Sequence, residues 1–187
     1  MPRDILDSRT AYSRASRTFH WATLALVATA LAIIWTVDFF PKSWDEPLVT
    51  LHRSIGLTIL ALTIGRLVYR PFAPKPKLPQ NLPQWQIAAA RLVQWLLYAV
   101  LLIEPVLGWV QSGARGRSVD LFYVVHLPAL VGEDRALARQ LLEVHEYVAY
   151  ALLVLVGLHA AAALYHHYIV RDDVLRSMLP RIRPHSA

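Results

Sequence analysis

Four long apolar stretches, separated by polar or proline-rich segments, set the pattern of the chain. They cover about residues 20–40, 49–69, 87–110 and 147–168, and each reaches the roughly 20 residues a helix needs to cross a bilayer. The pattern predicts an all-α, four-helix transmembrane bundle, with residues 1–187 forming one domain. The first stretch is too long for the apolar core of a signal peptide, and no small-residue cleavage site follows it, so it reads as a retained span. The connections differ. Residues 41–48, with Pro41 and Pro47, make a short turn, so the first two spans form a helical hairpin. Residues 70–83 hold Pro71, Pro74, Pro76, Pro79 and Pro83, the mark of a stiff extended linker. Residues 111–146 form the longest connection, polar at first (QSGARGRS), then apolar (LFYVVHLPALVG). It ends in EDRALARQLLEV, whose helical periodicity leads into the fourth span.

Composition strengthens this picture. Hydrophobic residues make up 56% of the chain and charged ones 17%, whereas a soluble domain carries about 25% charged. The chain has no cysteine, which excludes disulfides, iron–sulfur clusters and thiolate metal sites. Its two methionines, Met1 and Met178, lie near the termini, so eight histidines remain as the candidate ligands for a metal or haem. The net charge of +6 comes from basic residues flanking apolar spans; it fits attraction to anionic membrane lipid rather than to nucleic acid. In a four-span chain the N-terminal tail, the 66–91 region and the C-terminal tail share one side. That side holds 13 basic residues against 6 on the other. The excess of positive charge puts both termini in the cytoplasm.

Histidine within a span is costly unless paired, so depth is informative. His20 opens the first span at its cytoplasmic end and His52 lies at the outer end of the second. His145 stands at the outer end of the fourth, and His159 lies deep within it toward the cytoplasm. Fourteen residues along a helix is about 40° short of four turns, so His145 and His159 share a face, ~21 Å apart along the axis. His20 then pairs with His159 on the inside and His52 with His145 on the outside. Bis-histidine ligation of two stacked haems b uses all four. Gly56 and Gly157 would let a flat porphyrin stand close to the backbone, although small residues serve tight helix packing equally well. Other readings stay open: four idle interfacial histidines, a bare metal site with the nearby acids Glu143 and Glu146, or His166 replacing His159, seven residues earlier, at the inner site. His126 in the outer loop and His185 in the tail read as solvated.

The chain resembles the bacterial cytochromes b561, a four-helix dihaem family that includes a membrane-bound superoxide oxidase. The matching stretches are His20-Trp21, HRSIGL at 52–57, RLVYRP at 66–71, LLYAVLLIEPVLGW at 96–109, VHEYVAY at 144–150, GLHAAAALYHHY at 157–168 and the tail LRSMLPR. The resemblance implies haem on His20, His52, His145 and His159, and a place in the bacterial inner membrane. It further implies electron exchange between a donor at the periplasmic haem, with superoxide the specific proposal, and ubiquinone. Arg53, together with Arg115 and Arg117, would draw an anion to the outer haem, although the outer side as a whole carries eight acids against its six bases. Two rival expectations are an electron-transfer subunit docked to a dehydrogenase or hydrogenase, and a haem sensor or carrier without turnover. The chain departs from many relatives at Arg91 and Gln94, where they carry histidines, and at Glu104, where an apolar residue is usual. Glu104 is the acid well inside an apolar span, followed by Pro105, and is expected to relay protons or to hydrogen-bond a quinone or haem propionate. The charge asymmetry makes a direct prediction: a reporter fused after Ala187 is active in the cytoplasm, and periplasmic activity would reverse the inner and outer sites.

Overall fold

The computed structural model describes residues 12–74 and 82–179. Four long helices dominate it: α1 (Arg14–Thr36), α2 (Asp45–Tyr69), α3 (Gln84–Ala114) and α4 (Arg135–Tyr165). A short α5 (Val174–Met178) follows. The four long helices are apolar and long enough to cross a membrane. Their outward faces carry bare apolar side chains such as Trp35, Val68, Trp95 and Val154, each more than half exposed. A water-soluble bundle would bury such residues, whereas a bilayer solvates them.

Each helix runs past the apolar stretch that announces it, because caps rather than hydropathy set the ends. The α1 helix begins six residues before His20, where the Ser13 hydroxyl accepts the Ser16 amide at 3.1 Å. In α2 the acids Asp45 and Glu46 occupy the first turn, where the helix dipole favours them. In α4 the Asp134 carboxylate accepts the amides of Ala136 and Leu137 at 2.9 and 3.0 Å, so the helix starts twelve residues before the predicted span. Its last turn widens into a π-helical segment, His166–Val170, which ends on Arg171 at a positive φ of 61°. The connection between α1 and α2 is shifted from the expected 41–48 to 37–44, and consists of two 3₁₀ turns, Val37–Phe39 and Lys42–Trp44. Half of the proline linker, residues 75–81, lies outside the described residues, as does His185.

The outer connection departs from expectation. It is confined to 115–134, because α3 continues to Ala114 and α4 starts at Arg135, and it contains a small antiparallel hairpin in an otherwise helical chain. Strand β1 (Val119–Leu121) pairs with β2 (Val125–Leu127), with Asp120 opposite His126. Ser54 of α2, fully buried, holds the hairpin: its hydroxyl accepts the Phe122 amide at 2.9 Å and lies 2.9 Å from the Asp120 carbonyl. The hairpin is therefore clamped over the outer end of α2, two residues from His52.

Sequence neighbours pack together: α1 on α2, α2 on α3, α3 on α4. The apolar core joins Val27 and Ala30 of α1, Ile55 and Ile59 of α2, and Leu152 of α4. Backbone contact of α4 is extensive with α3 and not with α1 or α2. An apolar groove of about 300 Å³ runs between α1 and α4, lined by Val27, Leu31, Leu152 and Val156 among others. Helix α4 thus stands off from the two helices whose histidines it faces.

Candidate functional site

The two histidines of α4 each meet a histidine from another helix. The rings of His20 and His159 lie with centroids 6.1 Å apart, inclined at 60°. Those of His52 and His145 are 6.2 Å apart, inclined at 82°. Both α4 residues sit on one unbroken helix, so the layers are ~21 Å apart along its axis.

These spacings carry chemical meaning. A metal–imidazole nitrogen bond is about 2.0 Å long, and a ring nitrogen lies about 1.1 Å from its centroid, so two imidazoles trans across one metal stand about 6.2 Å apart. Rings in edge-to-face contact cover the same range, about 4.5–7 Å, so the spacing admits a shared metal and the donor chemistry has to argue for one. Each layer supplies two nitrogens and, among the described residues, no group of three or more His, Asp or Glu side chains that would hold a bare ion. A porphyrin supplies the other four equatorial nitrogens. The donor set therefore fits haem, and α4 makes little backbone contact with the two helices whose histidines it faces.

The outer pair draws on all four long helices. The Nδ1 of His52 lies 2.9 Å from the Ala30 carbonyl of α1. Since a carbonyl only accepts, Nδ1 carries the hydrogen and Nε2 keeps its lone pair free for a metal. This is the usual device by which a ring is oriented from its far side. His145 is supported from α3. Gly108 brings that helix so close that a Cβ on it would stand 3.3 Å from His145 Cε1 and 3.7 Å from Nδ1. Glu104, one turn earlier on the same face of α3, places Oε1 3.4 Å from His145 Nδ1. The contact is longer than a formed hydrogen bond. Glu104 Oε2 and His145 Nδ1 are buried without another side-chain partner, and leaving such groups unpaired costs about 1–3 kcal/mol each. Pro105 Cβ stands 4.0 Å from the position of a Cβ on Gly56, an ordinary van der Waals contact between α2 and α3. At Gly157 nothing lies within 4 Å of such a position, and that flank of α4 is open.

The inner pair sits where the start of α1 meets the segment around α5. Trp21, whose ring edges that of His20 at 5.3 Å, donates from Nε1 to the Met178 carbonyl at 2.8 Å. Arg17 reaches the Leu179 carbonyl at 2.8 Å, and the Tyr12 amide donates to Ser177 at 3.2 Å. The segment around α5 is thereby fastened beside His20. His166, the rival inner ligand, is not brought to His20; its Nδ1 lies 2.6 Å from the Asp172 carboxylate across the π-helical turn. Arg70 donates to Gln94 at 3.1 Å and lies 4.7 Å from the Trp95 ring centroid, so Gln94 serves as a clasp between α2 and α3.

At the outer rim Glu46 gathers two arginines, Arg53 at 3.3 Å and Arg117 at 2.7 Å. Arg53 is largely covered, its side chain 11% exposed, whereas Arg117 is half exposed. One carboxylate against two guanidiniums leaves a net local positive charge, and exposed Arg115 adds to it. His126, mostly exposed, pairs with Asp120 across the hairpin instead of standing free in water.

Sequence reasoning missed three supports: the Ala30 carbonyl, Gly108 and Ser54. The first is backbone and has no sequence signal. Gly108 was legible as a glycine one turn after a buried acid.

A family model of prokaryotic cytochrome b561 matches residues 11–181. Cytochrome b561 homolog 1 of Escherichia coli K12 is 30% identical over 91% of this chain and 97% of its own length. A protein of Yersinia pestis named probable superoxide oxidase CybB is likewise 30% identical, over 92% of this chain and 97% of its own. Cytochrome b561 homolog 2 of E. coli K12 matches at 30% over 90% of both chains.

Proposed function

The chain belongs to the prokaryotic cytochrome b561 family, multi-pass proteins of membrane electron transfer that bind haem b, and on that premise we propose that it is a superoxide:ubiquinone oxidoreductase holding two haems. His52 and His145 hold the outer haem, His20 and His159 the inner. The observation that carries this reading is that the two histidines on one face of α4 each meet a histidine of another helix, with rings 6.1 and 6.2 Å apart, a spacing that would accept a metal between each pair. The haem iron supplies one-electron redox chemistry at each layer. The protein supplies ligands and orientation, and the apolar bundle around them keeps water out.

The donor is superoxide. Two superoxide anions give two electrons and leave as dioxygen; ubiquinone takes both electrons with two protons and becomes ubiquinol. Support for an anionic donor comes from the Arg53–Glu46–Arg117 cluster beside His52, a positive spot on a rim whose other charges are mostly paired. Lys42, for example, lies 3.6 Å from Asp38 and 3.3 Å from Asp45. Such a spot raises the encounter rate of a small anion and is screened by salt. Ubiquinone is an apolar acceptor reached through the bilayer that surrounds the bundle. The proposed setting is the bacterial inner membrane with both termini in the cytoplasm, so the outer haem faces the periplasm. The name of the Yersinia pestis relative points to the same substrate.

Two outcomes are expected. His52→Ala and His145→Ala each lose one haem, His20→Ala and His159→Ala each lose the other, and His166→Ala keeps both, as read by haem content per chain. Loss of a haem in His166→Ala but not in His159→Ala would overturn the inner pairing. Second, the purified protein mixed with superoxide and ubiquinone consumes two superoxide per ubiquinol formed, at a rate that falls with ionic strength. Haem reduction by other donors but not by superoxide would overturn the substrate while leaving the haem sites intact.

A further inference from the structure

The two outer histidines are supported by unlike groups, and the difference has a consequence for the outer haem. His52 Nδ1 faces a neutral backbone carbonyl at 2.9 Å. His145 Nδ1 faces a side-chain carboxyl at 3.4 Å, within a pocket closed by Gly108. Both partners are mostly buried, with 21% of the His145 side chain and 13% of the Glu104 side chain exposed. Neither Glu104 Oε2 nor His145 Nδ1 has a hydrogen-bond partner. We infer that Glu104 is a positioning residue for the outer haem: its carboxylate accepts the Nδ1 hydrogen of His145, turns Nε2 toward the iron and makes that nitrogen the stronger donor of the pair.

The inference rests on the proposed ligation of haem by His145 and deepens it. Closing the 3.4 Å contact between Glu104 Oε1 and His145 Nδ1 to hydrogen-bond length would give the buried Nδ1 its partner. Among the described residues no acid is paired with His20, His52 or His159: His52 has a backbone carbonyl, and the ring partners of His20 are Trp21 and His159. A carboxylate behind an imidazole ligand pushes electron density toward the metal and fixes the ring, and removing such a partner weakens metal binding. The more oxidised, more positive iron gains most from that density, so Glu104 lowers the reduction potential of the outer haem relative to a ligand bonded only to a carbonyl. Because the side chain lies behind the ligand ring, its contribution is to the ligand and not to contact with substrate.

The decisive experiment is equilibrium redox titration of the intact dihaem protein, wild type against Glu104→Gln, with haem content and the low-temperature electron paramagnetic resonance spectrum recorded on the same samples. Gln keeps the shape but is the weaker acceptor. The expected result is retention of both haems, with one of the two transitions moved to higher potential by about tenfold in its equilibrium constant, which is 59 mV for one electron. The signal of that haem shifts as its ligand ring reorients, and the other transition stays in place. Glu143→Gln, which removes an exposed carboxylate half a turn from His145, moves neither. Should the Gln variant fail to accumulate, Glu104→Met fills similar volume without a strong acceptor and is judged by the same shift. Two haems with both potentials unmoved would overturn the inference alone. A wild-type chain with fewer than two haems would overturn the ligation itself.

Discussion

An imidazole inside a membrane must have both of its nitrogens satisfied, and helix α4 carries two such rings on one face. Much of the bundle follows from that demand. Each ring of α4 is met across about 6 Å by a ring from another helix, one from α1 and one from α2. The far nitrogens of the outer pair are directed at groups of α1 and α3, the Ala30 carbonyl and the Glu104 carboxyl. All four long helices therefore converge on the histidines, and α4 cannot close against α1 and α2 as tightly as it does against α3. The apolar core between the two layers, from Val27 to Leu152, is what remains for ordinary packing.

The two ends of the bundle are finished differently. At the outer end a β-hairpin is pinned to Ser54, and Glu46 binds two arginines beside it, so the approach to His52 is polar and held in place. At the inner end the N-terminal turn and the segment around α5 are tied to each other through Trp21 and Arg17. The local arginine cluster at the outer rim suits capture of a small anion from water, while at the inner end His159 is exposed on α4 among apolar helix faces, which suits exchange with an acceptor dissolved in lipid. The proposed electron path, from superoxide outside to ubiquinone within the membrane, runs in that direction.

The spans and the histidine pairing were legible because both depend on simple periodicities: apolar length across a bilayer, and the 14-residue spacing that puts His145 and His159 on one face. The ends of the helices were not, since Ser13 and Asp134 cap polar turns that hydropathy passes over. The hairpin escaped for a different reason. Its turn places Phe122 and Tyr123 at positive φ, 50° and 60°, where glycine or asparagine is the usual sign, so LFYVVHL read as one apolar run. Ser54 compensates by bonding the strained turn, which only tertiary structure reveals. Glu104 was recognised as anomalous, but the partner that explains it lies on another helix, and no pattern within α3 points to it.

Ligation of two haems, each by two histidines, stands or falls on haem quantification per chain of the purified protein, with reduced spectra recorded before and after addition of carbon monoxide. Two haems per chain and spectra unchanged by carbon monoxide are expected, because imidazoles would leave no open position for it on either iron. One haem or none per chain, or a spectrum that shifts on adding carbon monoxide, would contradict that ligation.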